Sequence, residues 1–405
     1  MKNFYFEALK NIKEKNLYRQ LEKSDVVSPF EIKRGKKKYI SFCSNDYFGL
    51  SQNKLVKKAA IEAIKKYGIG AGASRYVTGN NSLYIKLEKQ IAKMKNTDEA
   101  VVFSSGYSSA IGVIPALVGD VDLIVADRLI HSSLIDGAKL SNAKFMRFLH
   151  NDLSHAKKIL AENRSKFKKC LIITETVFSM DGDVGCVEEL LKLANEFDCL
   201  LVTDDAHGLF TSFEKGGTLR SKAEDLNNKN LEFSSLNHPS QNASHFDPPS
   251  FTKRVLQLGT FSKSVGSLGG YVAGNKILVD YLRNFAKSQI YSTALPPSIL
   301  AASLTSLKII EKKNLGKKTL ENASYFCQLM NLPKPQSAIV VIIIGDNKKT
   351  LEIANKVKKK GFLISAIRPP TVETGKSRVR ITFSSEHKKH NIKELVHILK
   401  EILPK

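Results

Sequence analysis

The chain has 405 residues, 42% of them hydrophobic and 25% charged; this excludes a disordered chain, and no apolar run reaches the roughly 20 residues of a membrane helix. A formal charge of +24 would suit an anionic partner, but the cations are mostly lysines spread along the chain, without the arginine-rich patch and aromatics of a nucleic-acid module. Five cysteines without a CxxC pair and a first stretch lacking a secretory signal argue against disulfides and structural zinc and for a cytoplasmic protein.

Residues 1–44 read as an N-terminal segment. Apolar residues at helical spacing predict helices over 54–67, stopped by Gly68, and over 83–95. Short apolar runs then alternate with helical stretches: EAVVF (99–103), DLIVA (122–126), CLIITE (170–175), CLLVTDD (199–205), VLQLGT (255–260) and GGYVAG (269–274). Continuous apolar strands between helices fit a parallel sheet covered on both faces. An α/β domain with a mainly parallel sheet is therefore expected over 45–285. The stretch 218–253, rich in Asn, Ser and Lys and containing Pro239, Pro248 and Pro249, breaks this rhythm and reads as a mobile surface insertion. After Pro296 and Pro297 come a connecting helix over 298–313, strands over 337–345, 362–367 and 378–383, a helix near 349–360 and a final helix. Together they predict a smaller α+β C-terminal domain over 286–405.

Three clusters bear on chemistry. In Gly259-Thr260-Phe261-Ser262-Lys263-Ser264, a lysine follows an apolar strand in a hydroxyl-rich turn, where its amine can have a lowered pKa and attack a carbonyl. Alone, such a lysine is ordinarily just solvated. Asp204, Asp205 and His207 stand at the end of the CLLV strand, where parallel sheets bind ligands. They could also cap a helix, or bind metal, although no third ligand stands at metal spacing. The glycines Gly68, Gly70 and Gly72 can be forced into a dinucleotide pattern, but a helix precedes them where that pattern needs a strand. A close-approach loop is the better reading. His150 and His155 read as structural.

Taken together, the motifs SNDYFGL (44–50), GAGASR (70–75), SSGY (104–107), ADRLIHSSL (126–134), ETVFSMDGD (175–183), DDAHG (204–208), GTFSK (259–263) and YSTALPP (291–297) resemble those of the α-oxoamine synthases. The resemblance spans roughly residues 40–395. It implies a fold-type I transferase dependent on pyridoxal 5'-phosphate, with Lys263 as the Schiff-base lysine and Asp204 paired with the pyridine nitrogen. By the same resemblance, His131 stacks on the ring and His207 and Ser179 lie near its phenolic oxygen. Gly106 and Tyr107 cradle the phosphate with Thr260, and Thr293 reaches the phosphate of the partner subunit in a homodimer. Arg378 is implied to grip the amino-acid carboxylate, with Asn45 and Ser74 lining the substrate side.

Within the family, AIRPPTVETGKSRVRIT (366–382), FLHNDLSHAKKIL (148–160) and GASRYVTGN (72–80) are most similar to the branch that joins L-alanine to a pimeloyl thioester. The acyl carrier, coenzyme A or acyl carrier protein, stays open. So do the glycine C-acetyltransferase and 5-aminolevulinate synthase branches, an aminotransferase, and a non-catalytic basic protein on the same fold. Tyr84, Ala110 and Glu373 depart from the usual His, Asn and Pro, and the usual turn is displaced near Gly216 and Gly217.

Overall fold

The apolar runs become strands in the computed structural model of the chain, which describes residues 2–209 and 254–403. The expected insertion over 218–253, with Gly216 and Gly217, lies outside the described residues. Strands β1 (Asp25–Ser28), β2 (Glu31–Arg34) and β3 (Lys37–Ser41) form an antiparallel meander near the N-terminus.

The central sheet comprises β4 (Glu99–Phe103), β5 (Leu123–Asp127), β6 (Lys144–Phe148), β7 (Cys170–Glu175), β8 (Leu200–Asp204), β9 (Val255–Thr260) and β10 (Gly270–Gly274). Its order is β4-β10-β9-β8-β7-β5-β6. All pairings are parallel except those of β10, which runs antiparallel to both β4 and β9. Successive residues of one strand enter different cores. Ile124 and Ala126 pack with the helix Gly106–Leu117, whereas Leu123 and Val125 pack with the helices Leu153–Asn163 and Val187–Glu196. Both faces are thus dry, which is why these strands lack polar alternation. Leu123, Ile124 and Val125 each contribute roughly 1.5–3 kcal/mol on burial. Strand β6 (KFMRF) sits at the edge with mixed exposure, so its pattern carried no signal.

The C-terminal part holds β11 (Ile339–Gly345), β12 (Phe362–Leu363), β13 (Ser365–Ile367) and β14 (Ser377–Thr382). The FLISAI run, expected as one strand, is divided between two sheets. Phe362 and Leu363 pair in parallel with β3, and Ser365–Ile367 pair antiparallel with β14. The N-terminal meander therefore joins the C-terminal layer through β3, and Phe42 packs with Phe326, Phe362 and Phe383 in one cluster. A helix over Leu315–Met330, absent from the sequence reading, completes it. Four parallel strands end on residues with chemistry to offer: Asp127, Glu175, Asp204 and Thr260. That edge is where the site lies.

Candidate active site

Lys263 follows β9 in a tight turn closed by Gly266 N donating to Lys263 O (2.9 Å), with Gly266 at φ 65°. Only glycine tolerates that conformation here, because a Cβ would sit 2.4 Å from Ser51 N. The Lys263 side chain is half-buried, and no hydrogen bond engages its Nζ among the described residues. Burial holds its amine below the ordinary lysine range; Asp204 and Glu175 oppose that shift, and Arg380 adds to it.

Asp204 ends β8, and its Oδ1 accepts from Ala206 N (2.9 Å). Glu175 stands beside it in register. The Glu175 side chain is buried and its Oε1 accepts from His131 N (2.5 Å). Burial and the Asp204 charge push the Glu175 carboxyl well above the usual range. His131 caps the helix Ser132–Leu140: its Nδ1 accepts from Ser133 N (3.2 Å), which leaves the ring proton on Nε2. The ring is open to the cleft, and partial burial and Lys263 lower its pKa against the pull of Asp204. His207 is buried, with Tyr47 Oη 2.7 Å from its Nδ1. Burial, Lys263 and Arg380 hold it well below the imidazole range, so it is neutral at pH 7.

Beside this cluster the helix Gly106–Leu117 begins. Ser105 caps it, taking the amide of Ser108 on its Oγ (2.9 Å) and that of Ser109 on its carbonyl (3.0 Å). The amides of Gly106 and Tyr107 precede the first intrahelical bond and point outward as free first-turn donors. A Cβ at Gly106 would meet Thr260 Cβ at 3.1 Å, so glycine is what lets the helix start abut β9. Thr260 Oγ1 donates to Gly269 O (2.8 Å) and lies 2.8 Å from Ser262 Oγ. Tyr107 Oη donates to Asp136 (2.5 Å).

On the substrate side one expectation is corrected. Arg378 is buried and turned away, ion-paired with Asp181 and bonded to Met180 O (3.0 Å). The guanidinium facing the cluster is that of Arg380, two residues on. Its Nε donates to Ser179 O (2.7 Å) and its Nη2 to Asn45 Oδ1 (3.2 Å). Its charge is felt at Lys263, His207 and Tyr47. Ser179 is thus present through its carbonyl, and Asn45 through its side chain. Ser74 and Thr293 meet in an isolated antiparallel bridge, continued by Ala294 N donating to Ala73 O (3.0 Å). Gly68, Gly70 and Gly72 have nothing of their own chain within 4 Å of a Cβ position, so the close approach expected of that loop is not made within one chain.

The family described as aminotransferase class I and II matches residues 37–399. The chain is 39% identical over 399 residues to a putative 8-amino-7-oxononanoate synthase of Parvibaculum lavamentivorans, covering 98% of this chain and 96% of the relative. It is likewise 39% identical over 373 residues to the 8-amino-7-oxononanoate synthase of Methylocella silvestris, covering 92% and 99%. The chain belongs to the α-oxoamine synthases within that family. Among solved structures, the serine palmitoyltransferase of Sphingomonas wittichii superposes with a TM-score of 0.85 at 24% identity (99% and 96% covered), a likeness of fold. The 8-amino-7-oxononanoate synthase of Francisella tularensis gives 0.71 at 26% (90% and 97% covered). As a member of the α-oxoamine synthases the protein is a pyridoxal-phosphate-dependent acyltransferase of fold type I.

The donors present fit that cofactor. Two free helix-start amides and a threonine hydroxyl suit a phosphate, an unpaired amine at Lys263 suits an aldehyde, and the Asp204 carboxylate suits a protonated ring nitrogen. The open face of His131 suits a planar ring. Of the departures, Tyr84 is buried under Arg75 (4.0 Å to the ring centre) and its Oη accepts from Leu295 N (2.6 Å). Glu373 pairs with Arg128 and Lys376. Arg380, Glu175 and Tyr47 went unnoticed in the sequence. The available signal was that Glu175 and Tyr47 lie inside two of the quoted motifs and Arg380 inside the quoted stretch 366–382.

Proposed function

We propose that the enzyme condenses L-alanine with a pimeloyl thioester, carried by coenzyme A or acyl carrier protein, and releases carbon dioxide and free thiol to give 8-amino-7-oxononanoate, a step of biotin synthesis. The supporting observation is near full-length similarity, at 36–39% identity, to relatives bearing that name. The cofactor supplies an electron sink for the α-carbon of the amino acid.

The chain's own residues do the rest. Lys263 Nζ would hold the cofactor, and its amine, whose pKa burial lowers, would be the group placed to take the α-proton. The Asp204 carboxylate would keep the ring nitrogen protonated. His131 would lie against the ring, and neutral His207, fixed by Tyr47, would offer a hydrogen bond to its oxygen together with Ser179. Gly106, Tyr107 and Thr260 would hold the phosphate. Arg380 takes the alanine carboxylate in a planar fork, steadied by Asn45 and Ser179 O. The layer over 45–285 acts as the cofactor domain and 286–405 as the domain bringing Arg380. Exposed Thr293 and half-buried Ser74 lie on an edge that a second copy would cover, giving a homodimer with Thr293 reaching the neighbouring phosphate. No helix among the described residues is long and apolar enough to cross a membrane.

The deciding test incubates holoenzyme with pimeloyl-coenzyme A and L-alanine, glycine or L-serine, and identifies products by mass. The reading requires the alanine product from wild type and none from Lys263→Ala. Alanine left intact while glycine or serine is consumed would overturn it.

A further inference from the structure

The turn over residues 178–183 stands between the cofactor layer and β14. It is closed by Phe178 N donating to Asp183 O (3.0 Å) and Gly182 N to Phe178 O (2.8 Å). Gly182 adopts φ 78°, and a Cβ there would lie 2.3 Å from Ile339 O. On one side, the turn's carbonyls at Ser179 and Met180 hold the guanidinium groups of Arg380 and Arg378. On the other, Asp183 Oδ2 accepts from His150 Nε2 (2.7 Å) and from Asn151 Nδ2 (3.1 Å).

His150 Nδ1 donates in turn to both oxygens of Asp127, at 3.0 and 3.1 Å. The Asp127 side chain is fully buried at the end of β5, and its Oδ2 also accepts from Asn151 N (2.8 Å). The Phe178 ring meets His150 edge-on at 4.4 Å. Each ring nitrogen of His150 thus faces a carboxylate, so each carries a hydrogen and the ring is a cation. Burial opposes that charge, but the bonds to Asp127 and Asp183 outweigh it and push the pKa up to about 10. A single imidazolium therefore joins two carboxylates, one rooted in the central sheet and one at the end of the turn that carries the acceptor of Arg380.

We propose that His150 is a positioning residue for amino-acid binding: bridging Asp127 and Asp183, it fixes the turn 178–183 and, through Ser179 O, the direction of the Arg380 guanidinium. The inference rests on the carboxylate-binding role given to Arg380 above. An arginine fork must meet a carboxylate in plane, so a shift of its acceptor on the order of 1 Å is enough to weaken binding. The groups that would anchor the cofactor (Lys263, Asp204, Gly106) lie outside this turn, which lends the cofactor only Ser179.

The test uses holoenzyme and L-alanine, with saturation followed by the change in cofactor absorbance and by steady-state rates. In His150→Gln, the neutral amide leaves two carboxylates without their cation. Its half-saturating alanine concentration rises about tenfold, a loss of about 1.4 kcal/mol, while kcat changes less than threefold and cofactor affinity holds. In the double variant His150→Gln/Asp183→Asn, removing the uncompensated carboxylate on the turn, while Asp127 keeps the amide of Asn151, returns alanine binding to within about threefold of wild type. That rescue is something a merely structural histidine would not show. Unchanged alanine saturation in His150→Gln, or loss of cofactor and alanine affinity together without rescue, overturns the inference alone. Should His150→Gln not fold, Asp183→Ala, which removes the acceptor of His150 Nε2 altogether, must weaken alanine binding severalfold, and no change there overturns the inference equally. A wild-type protein indifferent to alanine, glycine and serine would bring down the function and this inference with it.

Discussion

Lys95 and Asp205 form an ion pair with side chains 1% and 0% exposed, directly beneath the site and one residue from Asp204. Asp205 Oδ1 also accepts from Thr176 Oγ1 (2.6 Å). A Cβ at Gly208 would lie 2.2 Å from that oxygen, so backbone closes the pocket on that side. Replacing Lys95 with methionine keeps the length of the side chain and removes the cation. The carboxylate then stays buried with only a hydroxyl and dipoles for company, a loss of about 3–5 kcal/mol by the usual cost of breaking a buried pair. Adding Asp205→Asn removes the stranded charge and keeps the bond to Thr176. The double variant should therefore recover all but about 1–2 kcal/mol. Chemical unfolding followed by far-ultraviolet circular dichroism at pH 7 measures both numbers.

The sign with pH is also fixed. Burial already pushes the Asp205 carboxyl up, against Lys95 and Thr176. Without Lys95 it rises further, and an acid with a raised folded pKa favours the fold at low pH and loses that advantage as pH climbs through it. The gap between Lys95→Met and wild type must narrow on acidification from pH 7 towards 5. A single variant within about 1 kcal/mol of wild type, or a double variant no better than the single, would refute the assignment of a buried charge pair.

Two further predictions follow from the same edge of the sheet. Because burial and Asp204 favour the protonated form of Glu175, Glu175→Gln should keep the acceptor for His131 N and most of the activity, whereas Glu175→Ala frees His131 and lowers kcat at least tenfold. Equal losses in the two variants would show that the carboxyl acts as an anion. His150 has its folded pKa raised from 6.5 to about 10, so its contribution is complete below the unfolded value and disappears as pH rises through 10. For a quarter-exposed ring that amounts to on the order of 3 kcal/mol. The stability gap between wild type and His150→Gln should be largest near pH 6 and close by pH 10 in unfolding titrations; a gap constant across that range contradicts the bridging cation.

The doubly covered sheet was legible because both its faces are dry, so β4, β7 and β9 begin and end as their apolar runs do. Edge strand β6 was not, since its exposed Lys144 and Arg147 broke the run. The helix Leu315–Met330 was missed although its apolar face is buried, because Gly316 and scattered polar residues weaken its period. FLISAI could not be divided from sequence, since both halves are equally apolar and only the partners, β3 for one and β14 for the other, separate them. Within the site, Lys263, Asp204 and His207 were legible because strand ends place their side chains at the sheet's carboxyl edge whatever the loops do.

The two arginines of β14 show where such legibility stops. Arg378 and Arg380 are two apart on one strand and so share a face; neither period nor charge distinguishes them. What separates them is the turn 178–183, whose Asp181 neutralises Arg378 and whose Ser179 carbonyl takes only one edge of Arg380, leaving the rest of that guanidinium towards Lys263 and Asn45. An arginine already satisfied by an aspartate has little to offer a substrate carboxylate, whereas one held by a carbonyl and an amide keeps its full charge for an incoming anion. The choice between two identical residues is therefore made on other segments: Asp181, 197 residues away in sequence, takes Arg378, while Ser179 O and Asn45 aim Arg380. Removing that side chain should leave Arg380 the better carboxylate partner, because its orientation depends on Ser179 O and Asn45 and not on Asp181.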